Sequence, residues 1–175
     1  MSKKYPTPLH ILIDGSDNLG KTTVINLLSR KLDLPIIKMP DTAEYIEKGN
    51  VEEFSKFFNK TLVQFAEFDF IMDRGFTSSR VYSKVFKRET DLSYISMIEQ
   101  KLKPQVFIFT GIEEGTHGNF SFHPDLVWEE KEKENIDLEY YNLAREKGYD
   151  LICVKDRTPQ EICNEIIELI DHQYE

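Results

Sequence analysis

HILIDGSDNLGKTT, residues His10 to Thr23, decides how the 175-residue chain folds. Ile11, Leu12 and Ile13 make a short apolar run that reads as a buried strand. The residues that follow, Gly15-Ser16-Asp17-Asn18-Leu19-Gly20-Lys21-Thr22, satisfy G-x-x-x-x-G-K-[ST] at every fixed position. Val24, Leu27, Leu28 and Leu32 then recur at helical spacing, so the motif joins a strand to a helix. In that setting the loop's backbone N–H groups, through Thr23, point inward and cradle phosphate oxygens, aided by the positive end of the helix. Lys21 is expected to reach the outer phosphates and the Thr22 hydroxyl to ligate Mg²⁺. The stretch predicts a nucleoside triphosphate site.

Outward from it, short apolar strands alternate with helical segments. Leu34-Pro35 ends the first helix, and Ile36-Ile37-Lys38-Met39 reads as a strand stopped by Pro40. Helical spacing over 41–66 carries Val51, Phe54, Phe58, Leu62 and Phe65 on one face, with a break at Gly49-Asn50. A third strand, 68–73, ends on Asp73, and helices are expected over 77–88 and 92–102. Val106 to Phe109 reads as a fourth strand and Asp150 to Lys155 as a fifth. Between them, 112–124 holds two glycines without periodicity and reads as a lid-like loop, followed by a charged helix over 125–147. Thr158, Pro159 and Glu161 form a capping box with proline at the first helical position, opening the last helix. Continuously apolar strands alternating with helices predict one α/β domain spanning 1–175, a five-stranded parallel sheet covered on both faces.

The bulk numbers narrow the classes. A net charge of −9 disfavours nucleic acid as a partner, because backbone binding needs clustered Lys and Arg. It leaves room for a small phosphorylated ligand met by a few inward cations. No apolar run approaches the ~20 residues of a membrane helix, and MSKKYPTPLH lacks the apolar core of a signal peptide. The two cysteines, Cys153 and Cys163, read as buried reduced thiols, consistent with a cytoplasmic protein. His117 and His123 lack the company of a zinc site, the 129–134 charge run reads as a solvated helix face, and Tyr140 and Tyr141 read as packing residues.

A second stretch carries chemistry: Asp73-Arg74, then Ser78, Arg80 and Tyr82. An acid ending a buried strand lies in the crevice where open α/β sheets bind ligands, and in a P-loop protein such an acid holds Mg²⁺. Arg74 supplies a fork of donors suited to phosphate oxygens.

At these two stretches the chain resembles the thymidylate kinases. Asp14-Gly15-Ser16-Asp17-Asn18-Leu19-Gly20-Lys21-Thr22-Thr23 is similar to E-G-x-D-x-x-G-K-[ST]-T, and Asp73-Arg74…Ser78…Tyr82 to D-R-x-x-x-S-x-x-x-Y. The resemblance implies a nucleoside monophosphate kinase-like P-loop fold and transfer of the γ-phosphate of ATP to a deoxynucleoside monophosphate, with dTMP the leading acceptor. It implies that Asp17 meets the acceptor sugar, that Lys38 and Arg74 meet phosphates, and that Asp73 serves Mg²⁺. It also implies that the loop carrying Arg157 lies against adenine. It leaves the oligomeric state open, dimers being usual in the family.

The chain departs from that family in three places. Asn18 stands where a P-loop arginine is usual, and residues 111–135 contain no arginine. In the acceptor helix, Lys56 and Lys60 stand where an arginine is expected, and a base would stack on one of Phe54, Phe57 or Phe58, with Phe58 the selected candidate. Deoxynucleoside kinases share some of these pieces. Asp14 then becomes a general base taking the proton of a 5′-hydroxyl, with Arg74, Ser78 and Arg80 as its partners. A kinase acting on a nucleotide within DNA, and a nucleotide-binding switch with little transfer, are the remaining readings.

Overall fold

The computed structural model describes residues 5, 8–40, 42–112 and 130–174. Five strands, β1 (His10–Gly15), β2 (Ile36–Lys38), β3 (Phe70–Asp73), β4 (Gln105–Thr110) and β5 (Asp150–Cys153), form one parallel sheet in the order β2-β3-β1-β4-β5. The connecting helices are α1 (Lys21–Leu32), α2 (Ala43–Glu47), α3 (Val51–Leu62), α4 (Phe76–Val85), α5 (Tyr94–Leu102), α6 (Glu130–Lys147) and α7 (Pro159–Gln173).

β1 lies in the middle of the sheet and is buried along its length, which is why its run is apolar on both faces. Ile11 and Ile13 join a core with α1 and α7 that includes Val24, Leu28, Ile162 and Ile166. Leu12 faces the other way, into a core with Phe76, Ile95, Ile98 and Tyr140 from α4, α5 and α6. Side chains alternate along a strand, so Asp14 points toward the α4/α6 face. Asp73, level with Ile13, points toward α1.

The expected break at Gly49-Asn50 separates α2 from α3, Gly49 adopting a left-handed φ of 69°. β3 begins two residues later than expected, because Phe68 N–H closes a turn onto Phe65 C=O and leaves the Phe68 ring in solvent. The capping box at Thr158 and Glu161 is present with both reciprocal bonds. Cys163 is buried, whereas Cys153, expected to be so, is only half-buried; both are free. Lys133 is buried, against the expectation of a solvated face. The lid-like loop lies outside the described residues except for Ile112, as do His117 and His123. No helix among the described residues is long and apolar enough to cross a membrane.

Candidate active site

The loop after β1 closes over the carboxyl end of the sheet. Gly15 is required here: its φ is 137°, and a Cβ would stand 2.3 Å from the Phe109 carbonyl oxygen. Gly20 caps α1 at φ 72°, and Asn18 takes the left-handed region at φ 62°. The Lys21 ammonium donates back to the Ser16 carbonyl across the loop. Burial, and secondarily Arg74, lower its pKa to about 7, despite the opposing carboxylates of Asp14, Asp17 and Asp73.

Thr22 is exposed at the start of α1, and the Asp73 carboxylate, 5% exposed, faces that same helix. Hydroxyl and carboxylate are hard oxygen donors, so the pair fits Mg²⁺ completed by phosphate oxygens and water.

Arg74 follows in the left-handed region at φ 66°, its N–H donating to the Ile13 carbonyl at 3.1 Å. Its guanidinium pairs with Asp17, donates to Gly15 C=O at 3.4 Å and lies 3.7 Å from Asp14 Oδ1. Burial works against its charge, but Tyr140, Tyr82, Asp14 and Asp17 around it hold its pKa above the usual value.

Asp14 is fully buried and fully engaged. Oδ1 accepts from Gly15 N–H at 2.9 Å and from the Tyr140 hydroxyl at 2.9 Å. Oδ2 accepts from the Thr77 hydroxyl at 2.5 Å and the Ser78 hydroxyl at 2.7 Å. One turn before Tyr140, Asp137 is also fully buried. It accepts from Ser16 Oγ at 3.1 Å, Thr110 Oγ1 at 3.2 Å and Gly111 N–H at 3.0 Å. Burial pushes its pKa up against those three bonds.

Two hollows flank the loop. The smaller, about 250 Å³, is lined by Asn18, Leu19 and Gly20 on one side and by Lys155, Asp156 and Arg157 on the other. Arg157 is held there by Glu165 and by the Cys153 carbonyl at 3.1 Å. The larger, about 790 Å³, runs between α3, α4 and α5; Asp17, Lys38, Arg74, Ser78, Tyr82 and Arg88 are among its walls. Most of the expected site residues therefore meet around one loop.

Two do not. Arg80 turns away from the larger cleft and pairs with Glu99 at 3.3 Å, because its place on α4 faces α5. Phe58 packs against the α4/α5/α6 core instead of lining the cleft, Phe54 stacks on Tyr45 with centroids 4.0 Å apart, and Phe57 is 69% exposed. Ser78 lines the cleft, but its hydroxyl is committed to Asp14, with the Tyr140 hydroxyl oxygen 3.0 Å away.

Sequence reasoning missed Arg88, Asp137 and the polar duty of Tyr140. Arg88 is aimed by a helix end. Its N–H donates to Ser83 C=O at 2.8 Å, and Lys87 N–H to Lys84 C=O at 3.3 Å, with Lys87 in the left-handed region. That is a Schellman ending in which lysine replaces the expected glycine, so no residue type announced it. Arg88 then pairs with Glu52 at 3.3 Å across the cleft.

Neither a protein-family model nor a curated protein sequence matches the chain. Solved structures do. The YorR protein of Bacillus subtilis, solved with phosphorylated GDP, is 25% identical with a TM-score of 0.69, the match covering 94% of this chain and 96% of that one. The chain has the P-loop kinase fold, of the nucleoside monophosphate kinase type. Thymidylate kinase from Candida albicans superposes with a TM-score of 0.64 at 16% identity, over 95% of this chain and 92% of that one. Deoxyadenosine kinase from M. mycoides, with dCMP and dCDP bound, gives 0.63 at 17% identity, over 94% and 100%. The last two are phosphotransferases, and the likeness in fold agrees with the kinase reading of the two motifs.

Proposed function

We propose that the protein is an ATP- and Mg²⁺-dependent kinase that transfers the γ-phosphate to a deoxynucleoside monophosphate, with dTMP the leading acceptor. The observation that carries the choice of acceptor is charge. Lys38, Arg74 and Arg88 stand in the walls of the larger cleft against two carboxylates, Asp17 paired with Arg74 and Glu52 with Arg88. This excess of positive charge, with two guanidinium forks to share, suits an acceptor that arrives as an anion. Its volume, about 790 Å³, is ample for a nucleotide.

The Asp14 geometry supports the same choice. A nucleoside's 5′-hydroxyl needs a base, and Asp14 already accepts four hydrogen bonds. A phosphate acceptor is ionised and needs none. In this reading Lys21 and the loop amides hold the β- and γ-phosphates, and Arg74 bridges donor and acceptor phosphates. Thr22 and Asp73 hold Mg²⁺, which would neutralise charge on the triphosphate. The smaller hollow beside Arg157 takes adenine, and Asp17 meets the acceptor sugar. With no arginine in 111–135, charge developing on the transferred group falls to Lys21 and Arg74. The acidic chain and its free cysteines suit a cytoplasmic enzyme acting on small molecules, in a single domain.

A nucleoside kinase is the second reading, favoured by the likeness in fold to the deoxyadenosine kinase. The likeness to YorR, solved with phosphorylated GDP, puts guanine nucleotides on the acceptor panel beside dTMP. The test is ATP with each nucleoside and each nucleoside monophosphate, following ADP and product. Turnover on monophosphates is expected. Turnover on nucleosides alone would sink the leading reading, and tight ATP binding without any transfer would favour a switch.

A further inference from the structure

Two side chains one turn apart on α6 grip the start of the P-loop. Asp137 takes the Ser16 hydroxyl at 3.1 Å, and the Tyr140 hydroxyl donates to Asp14 Oδ1 at 2.9 Å. Asp14 bridges that tyrosine and the guanidinium proposed to meet the phosphates, its Oδ1 lying 3.7 Å from Arg74 Nη1. Tyr82, hydrogen-bonded to Arg74 and edge-on to the Tyr140 ring, stands beside the same pair. We propose that Tyr140 is a positioning residue, whose hydroxyl orients the Asp14 carboxylate and through it sets the place of the Arg74 guanidinium. The inference rests on the kinase reading above and adds to it an element, α6, that neither motif contains.

The chemistry of the network supports this. Tyr140 and Asp14 are both fully buried, so the carboxylate depends on protein donors. Four donors converge on its two oxygens, from β1 and its loop, from α4 twice and from α6. Burial first, then Asp14, pushes the Tyr140 phenol well above its usual pKa, so it stays protonated and remains a donor. The Tyr140 and Ser78 hydroxyl oxygens stand 3.0 Å apart, each with its proton directed at Asp14, Ser78 reaching Oδ2 at 2.7 Å. The phenol ring stands edge-on to Tyr82, centroids 6.5 Å apart at 82°, which fixes the direction of its hydroxyl. Remove that hydroxyl and Asp14 Oδ1 keeps only its neighbour's N–H and the 3.7 Å approach of Arg74. The carboxylate stays anchored by Gly15, Thr77 and Ser78, so Arg74 becomes the nearest replacement donor for Oδ1, and closing that 3.7 Å gap draws the guanidinium off the phosphate path. Small displacements of such a group are costly, since a 1 Å misplacement can lose about a hundredfold in rate.

The test uses Tyr140→Phe, which deletes one oxygen and keeps the ring, beside Leu143→Ala, a packing change in the same helix. Two quantities are read in each: steady-state constants on whichever acceptor the panel identifies, and the rate at which phenylglyoxal modifies Arg74, found by peptide mapping of the intact protein. For Tyr140→Phe we expect kcat to fall about tenfold to a hundredfold, KM for ATP to stay within about twofold, and Arg74 reactivity to change by about threefold or more while Arg88 stays unchanged. Leu143→Ala should lower the melting temperature and leave Arg74 reactivity alone. Wild-type kcat and wild-type Arg74 reactivity in Tyr140→Phe would overturn the proposal, as would an equal change at Arg74 in Leu143→Ala. If the wild type transfers phosphate to nothing, the kinase reading fails; the Arg74 modification rate still decides whether Tyr140 sets the guanidinium.

Discussion

The two hollows flanking the P-loop are built by different means. On the proposed reading the smaller hollow is the donor side. Its P-loop wall is mostly backbone from one continuous stretch: a strand end, a glycine pressed to 2.3 Å from the Phe109 carbonyl, and a helix start. Lys155, Asp156 and Arg157 from the loop after β5 face that wall. The acceptor side is side chains gathered from β2, α3, α4 and the turn after α4. Backbone recognition is common to every triphosphate, whereas side chains can differ from one acceptor to the next. On the proposed reading, the donor half therefore defines a class of reaction, and the acceptor half defines which molecule is phosphorylated.

If this division holds, the largest single effect belongs to the donor side. Lys21→Met keeps the length of the side chain and removes its charge from a buried position that touches the phosphates in the proposed complex. We expect kcat to fall by about 10³-fold or more, the scale seen for cations at a transferring phosphoryl group, with the acceptor's own dissociation constant little changed. Single-turnover kinetics and acceptor titration separate the two. An equal loss of acceptor affinity would show that the two hollows are not independent.

Phe58→Ala probes the boundary of the acceptor side. The ring is partly buried against the α4/α5/α6 core and does not line the cleft. Its removal should cost about 2–3 kcal/mol, a little under the range for fully buried rings, read as a shift in the urea midpoint at unchanged slope. KM for the acceptor should stay within about twofold. A selective rise in that KM would restore Phe58 as a stacking platform.

This ring also marks where sequence stops informing. The 3.6-residue spacing placed Phe54 and Phe58 on one helical face correctly, yet which of them a ligand could reach depends on α2, whose Tyr45 covers Phe54. The strands, their parallel direction and the P-loop were legible because each depends on local pattern: apolar runs alternating with helices, a glycine-lysine signature, a capping box; the strand order was not read. Asp14 was legible as an important acid, but its four donors come from residues as distant as Tyr140, so its role as an anchor was not. Arg88 was hidden for a different reason: its helix ends on Lys87 in the left-handed region, where glycine is the residue that signals such an ending.

Arg88→Met tests that hidden residue. Its guanidinium pairs with Glu52 over the cleft and lies 5.2 Å from the Phe86 ring. Methionine keeps much of the stem's packing and removes the donors. Acceptor KM should rise about tenfold, the usual scale for one charge-assisted hydrogen bond, while KM for ATP and the melting temperature hold. Loss on the ATP side instead would mean that Arg88 reaches donor phosphates, and the division between the hollows would be wrong.

The smallest effect is a proton. With burial as the main cause, the Lys21 pKa falls to about 7 in the free protein, against 10.5 for an ordinary lysine. Between those values the folded chain binds fewer protons at this site than the unfolded chain does. Stability therefore rises with pH across that window, by up to about 1.4 kcal/mol per unit from this group, and the penalty is present in full below pH 7. A polyphosphate beside the ammonium restores the charge that burial opposes, so ATP binding at pH 8 should take up close to one proton. Calorimetry in buffers of different ionisation enthalpy measures that uptake directly, and Lys21→Met should abolish it. Arg88→Met should not, because Arg88 stands in the other hollow and stays charged across this range. Uptake that disappears in Arg88→Met would place donor phosphates in the acceptor cleft and overturn the comparison itself.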